Sequence, residues 1–262
     1  MPSVRLRPIA LPSEHGGWAL AVAPTLLGVA VAPSLSGVWI GVAALAVFLA
    51  RQPAGLVLGD WRRGRRYPRT AWALGFALGY VLLAAAAIAG AAVSARGAFW
   101  IPLVLALPLL AVQVAHDVAS TGRAFAAQAS GALASGAVAA SILMASGWPL
   151  NQAAVSWALL SLQSLAAIVY VGTRFRLARG AGASRWPTVA VHLAAVAIAA
   201  ALAWLALAPR LGVFVFAVLT VRAILGLLPR SLLVRPSLVG VQEIGYSLLT
   251  VVGLAAGLRG GW

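Results

Sequence analysis

The sequence predicts an all-α, polytopic transmembrane helical bundle with nine spanning helices, and three observations predict it. Hydrophobic residues make up 63% of the 262-residue chain and charged ones 9%, with a mean hydropathy of +0.99. A soluble domain carries roughly a quarter charged residues, so a soluble enzyme is excluded. The apolar residues fall into nine runs, each near the ~20 residues that cross a bilayer as a helix. The connections between those runs alternate between nearly uncharged and Arg-rich.

The runs cover 17–33, 36–51, 70–94, 97–115, 124–146, 152–172, 186–207, 210–229 and 237–258. The first follows Pro8, Pro12, Glu14 and His15, a poor basic leader, and Pro33 directly follows Ala30-Val31-Ala32. It is therefore read as a spanning helix and not as a cleaved signal. The second and fourth runs are short, and Arg51 and His116 extend them by snorkelling toward water. The remaining runs are long enough unaided. Together they use most of the chain, so residues 1–262 form a single transmembrane domain.

The uncharged connections are Pro33–Ser36, Ala95–Gly97, Gly147–Asn151 and Ala208–Arg210. The Arg-rich ones are Arg51–Arg69, His116–Arg123, Arg174–Arg185 and Arg230–Arg235, and the amino-terminal segment with Arg5 and Arg7 joins them. Excess Arg marks the cytoplasmic side. An odd number of spans then places the amino terminus inside and the carboxyl terminus outside, in the cytoplasmic (inner) membrane. The net charge of +15 comes from Arg alone, since the chain has no Lys. It orients helices, and no basic domain outside the membrane offers a nucleic acid a surface. The chain has no Cys, which removes disulfides and thiolate ligands. Its three His and four carboxylates lack metal-ligand spacing, so no metal site and no cofactor is expected.

Depth is the informative property of the remaining polar residues. Consecutive spans are antiparallel, so residues equidistant from a turn share a level. Around Ser34 this aligns Glu14 with Arg51; around Leu232–Leu233 it aligns Arg222 with Glu243, and His192 lies at a similar depth. A charge inside a span normally faces the bundle and finds a partner. The expected pairs are Arg222 with Glu243 and Glu14 with Arg51. Two further couples, Glu14–His15 and His116–Asp117, have the composition of proton shuttles. Nearly all of these residues fall in the cytoplasmic half, which predicts a polar cavity open to the cytoplasm. Glu14, His15, Arg51, Arg222 and Glu243 are its expected ligand-binding residues. Arg in excess of carboxylate suits an anion, and an apolar bundle beneath suits its tail.

Leu11-Pro-Ser-Glu14-His15-Gly16-Gly17-Trp18-Ala19, with Pro24 and Gly28, resembles the opening motif of the YwiC-like family of bacterial integral membrane proteins. Arg51-Gln52-Pro53, Tyr170-Val-Gly-Thr-Arg174-Phe-Arg176 and Gln242-Glu243-Ile244 are similar to further signatures of that family. The resemblance runs over most of the chain and brings no mechanism with it. A weaker, architectural resemblance is to the UbiA prenyltransferase superfamily, which has nine helices and polar loops after the second and sixth spans. That superfamily carries Asp-rich, magnesium-binding motifs in those loops. Here the first has only Asp60 and the second has Arg174, Arg176, Arg179 and Arg185 without an acid. The residues favour binding or modification of an anionic or isoprenoid-type lipid. A small-solute or proton-coupled transporter built on Glu243, Arg222 and His192, and an accessory subunit or assembly factor of a membrane complex, stay open beside it.

Overall fold

The computed structural model describes residues 5–12, 15–65, 67–119, 121–122, 124–233 and 235–260. Among them there is no strand. A short α1 (Arg7–Ala10) precedes α2 (His15–Val31), α3 (Leu35–Arg62), α4 (Pro68–Ser94), α5 (Trp100–Val118) and α6 (Phe125–Ala145). Then follow α7 (Leu150–Ala178), α8 (Trp186–Trp204), α9 (Arg210–Gly226), a 3₁₀ turn (Pro229–Leu233) and α10 (Pro236–Arg259). Prolines begin several of these elements. Pro68 and Pro236 take first-turn positions, where the missing N–H has no partner to lose.

Helices α2 to α10 fall on the nine apolar runs, one to one. Seven of them, α3 to α8 and α10, are long and apolar enough to cross a membrane. α2 and α9 have 17 residues each and rise only ~25 Å, short of the ~30 Å hydrocarbon core. Their outward faces are nonetheless greasy: Leu26 of α2 is 40% exposed and Phe214 of α9 65%. α3 and α7 run well past their apolar stretches. The segments expected as connections from Arg51 and from Arg174 continue the helix to Arg62 and Ala178. At 28 and 29 residues they rise ~42 Å or more, so their last turns leave the hydrocarbon as helix.

α6 is the most enclosed helix, and it packs on α2, α3, α5 and α7. Its Ala, Ser and Gly residues keep neighbouring backbones close. The Ile142 side chain fills the space where Gly28 of α2 and Gly37 of α3 would each carry a Cβ. Ser146 at the end of α6 donates to Ser34, and Ser34 caps α3 by accepting from the Gly37 N–H. From α6 the packing continues through α7, α8, α9 and α10, and α10 returns to α2. Six helices thus form a closed ring, with α3, α4 and α5 laid on the α2–α6 flank. The outer faces of α4 and α5 present Leu82, Val93, Leu105 and Leu107 outward, which lipid covers and water would not.

Candidate functional site

The structure divides the five predicted site residues. Glu14 and the side chain of His15 lie outside the described residues, so the expected Glu14–Arg51 pair does too. Arg51, Arg222 and Glu243 fall into two clusters that share no described residue, both toward the Arg-rich end of the bundle.

The first cluster sits where α3 crosses the end of α5. The Arg51 fork meets Asp117 with two parallel bonds, Nε to Oδ2 at 2.5 Å and Nη2 to Oδ1 at 2.9 Å. Bidentate contact fixes the guanidinium plane as well as its position. Arg62 donates to the Val118 carbonyl and closes the same pair of helix ends. A hollow of about 200 Å³ opens beside the ion pair, lined along one face of α3 by Phe48, Arg51, Gln52, Gly55 and Leu56 and closed by Pro12 and Asp117. The amino-terminal segment reaches this rim because Ile9 is buried against Val57 and Ala73. Gln52 donates to the Pro8 carbonyl, and Tyr80 to that of Ala10. His116, expected beside Asp117 as a proton partner, instead hydrogen-bonds through Nδ1 to Thr121 at 2.9 Å.

The second cluster lies inside the ring. α9 presents Arg222 to Glu243 of α10, and the two form the predicted ion pair. The Arg222 guanidinium rests over the Tyr170 ring of α7 at 3.9 Å from its centroid and beside Tyr246 of α10 at 4.9 Å. Arg174 donates to the Tyr170 hydroxyl at 2.5 Å and to the Ser231 carbonyl at 2.7 Å, so the 3₁₀ turn caps the cluster. His192 of α8 meets the Tyr170 ring edge-on, and its Nδ1 lies 2.8 Å from the Thr188 carbonyl. Gly226 must be small here, because a Cβ would run into the Tyr170 ring and hydroxyl.

Sequence reasoning missed a third pair. Asp60, fully buried near the end of α3, accepts from Arg69 at 3.1 Å and from the Thr70 hydroxyl at 2.7 Å. It pins the α3–α4 turn. Its signal was present: an acid at one helix end and a Pro-Arg-Thr start whose Arg69 lies nine residues on. Among the described residues no three His, Cys, Asp or Glu side chains converge in the manner of a metal site.

Seven membrane-length apolar helices, greasy outer faces and ion pairs turned inward define an integral, multi-pass α-helical membrane protein. The family model described as YwiC-like protein matches residues 11–143, from the Glu14-His15-Gly16 opening into the last turn of α6. The chain belongs to the YwiC-like family. Arg51, Asp117 and the hollow lie within the matched half; Tyr170, Arg174, Arg222 and Glu243 lie beyond it. No curated protein and no solved structure matches the chain, and the UbiA-type arrangement stays an expectation.

Proposed function

We propose that this is a nine-span protein of the cytoplasmic membrane, amino terminus inside and carboxyl terminus outside. In this reading it holds an anionic or isoprenoid-type lipid by its headgroup in the Arg51–Asp117 hollow. The topology rests on the Arg asymmetry: the ends of α3, α5, α7 and α9 carry most of the Arg, and the opposite ends only Arg96, Arg210 and Arg259. α2 and α9 then span by local thinning of the bilayer, the usual accommodation of a short apolar helix.

The observation that carries the lipid reading is the composition of the hollow. On one face of α3 the donors of Arg51 and Gln52 sit beside the apolar side chains of Phe48 and Leu56, at the level where α3 leaves the membrane. In this reading a headgroup anion joins Asp117 at the Arg51 guanidinium, and an acyl or isoprenoid chain runs along Phe48 and Leu56 into the bilayer. Asp117 holds the fork in place before the ligand arrives. Whether the ligand is only bound or also modified depends on groups the headgroup itself brings.

Native mass spectrometry of the purified protein tests this. The wild type should carry one enriched anionic lipid, and Arg51→Ala, eluting as the same monodisperse species, should lose it. Bulk membrane lipid alone in both samples overturns the reading.

A further inference from the structure

The Arg222 cluster lies apart from the Arg51 hollow and has an unusual charge balance. The chain has only four acidic residues. Asp60 and Asp117 are committed to Arg69 and Arg51, and among the described residues Glu243 is the carboxylate that reaches this cluster. Two buried guanidinium groups, Arg222 and Arg174, therefore face one carboxylate around one Tyr170 ring. Arg174 is satisfied by the Tyr170 hydroxyl and the Ser231 carbonyl. Arg222 is not: its side chain is 6% exposed and its Nε donates no hydrogen bond. A helix-tying ion pair in a low-dielectric interior normally satisfies every donor it buries. This one keeps a charge in excess and a donor unspent.

Glu243 is the member of the pair with a way out. It is 14% exposed, lies two turns into α10, and is flanked by exposed Gln242 and Ile244. The seat it occupies on Arg222 is shaped for a carboxylate, with Tyr170 and Tyr246 as walls. We infer that the Arg222–Arg174–Tyr170–Tyr246 cluster binds a small free carboxylate monoanion, which exchanges with Glu243 on the Arg222 guanidinium. Glu243 is the internal occupant that keeps the seat closed without ligand. Enclosure within the ring and the 3₁₀ cap select a small solute over a lipid headgroup. The site is independent of the Arg51 hollow, which is read by lipid retention in Arg51→Ala, so either proposal can fail alone.

Acetate is the probe, with gluconate, a carboxylate too bulky for the seat, holding ionic strength constant. The thermal midpoint of the full chain in detergent micelles should rise saturably with acetate. Glu243→Gln removes the competing carboxylate, and its half-saturating acetate concentration should fall by about tenfold or more. Arg222→Gln should abolish the response. Where that variant does not fold, Arg222→Gln/Glu243→Gln, which removes both charges together, carries the test. A wild type with no saturable response to acetate overturns the inference, and so does a response that survives in the double variant. Either result leaves the cluster a structural ion pair.

Discussion

Arg51–Asp117 and Arg222–Glu243 are both Arg–carboxylate pairs between neighbouring helices, yet their surroundings are opposite. The first pair is 29% and 16% exposed and borders an open hollow; the second is 6% and 14% exposed and is closed in by two tyrosines. In the first, water screens the attraction and also compensates for loss of a partner. In the second, the partner and two tyrosine faces stand in for water. Identical chemistry therefore implies different duties. The rim pair orients a fork for something outside; the interior pair makes each of its members intolerant of the other's removal.

The largest effect follows from that intolerance. Arg222→Ala strands Glu243 within the ring and should cost about 3–5 kcal/mol, whereas Arg222→Met/Glu243→Leu should return to wild-type stability or exceed it. Denaturant titration in micelles reads both. If the single variant unfolds no more easily than the double, water reaches the pair and the contrast with Arg51–Asp117 disappears. Asp60 supplies an intermediate point, because its carboxylate is 1% exposed while Arg69 is 43% exposed. Asp60→Ala leaves the Thr70 hydroxyl without its acceptor and lets Arg69 turn to water. A loss of about 1–3 kcal/mol is expected in the same titration. A loss as large as that of Arg222→Ala would show that burial of one partner alone governs the cost.

Packing around the interior pair gives a smaller, independent reading. In Gly226→Ala the new methyl meets the Tyr170 hydroxyl, which Arg174 holds in place. Overpacking of this kind costs about 1–3 kcal/mol, and the better helix propensity of Ala returns about 1 kcal/mol of it. A net loss of about 1 kcal/mol is expected in the thermal melt, and Tyr170→Phe in the same chain should recover part of it. Unchanged stability in Gly226→Ala would mean that Tyr170 is free to move, and the cluster is looser than its burial implies.

What the chain revealed before its structure follows the same division. Hydropathy located α2 to α10 because a helix held among other helices or facing lipid needs apolar side chains along its length. Depth arithmetic paired Arg222 with Glu243 because an α-helix rises uniformly and consecutive spans are antiparallel, so counting from a turn measures height. Counting does not measure direction around the axis. The bond between Arg51 and Asp117 was therefore illegible: it depends on α5 packing beside α3, which no run of residues records. For the same reason the five site residues were gathered into one cavity where the ring separates Arg51 from Arg222. The helical continuations Arg51–Arg62 and Arg174–Ala178 were invisible for a different reason. Backbone hydrogen bonding does not stop where hydropathy does, and polar residues beyond the membrane extend a helix without an apolar signal.

The smallest expected change in stability is at the rim. Asp117, at the edge of the open hollow, gains water when Arg51 is removed, and solvent replaces the lost fork, so Arg51→Ala should cost less than about 1 kcal/mol. Gly122 lies against the same carboxylate, so Gly122→Ala should nudge Asp117 and shift stability by no more than the loss of Arg51 does. The consequence for ligand is the reverse. Without the fork the hollow keeps Phe48 and Leu56 but has lost the donor that fixes an anion, so lipid retention should collapse while the melt barely moves. In Arg222→Ala the order inverts: the melt collapses, and lipid retention, measured on the fraction that stays folded, should hold. An Arg51→Ala protein that melts like Arg222→Ala while keeping its lipid would exchange the two roles and make the rim pair the structural one. Measuring both quantities on both variants therefore tests the comparison at each end, because a residue that orients a ligand and a residue that compensates a buried charge leave opposite marks on the two readouts.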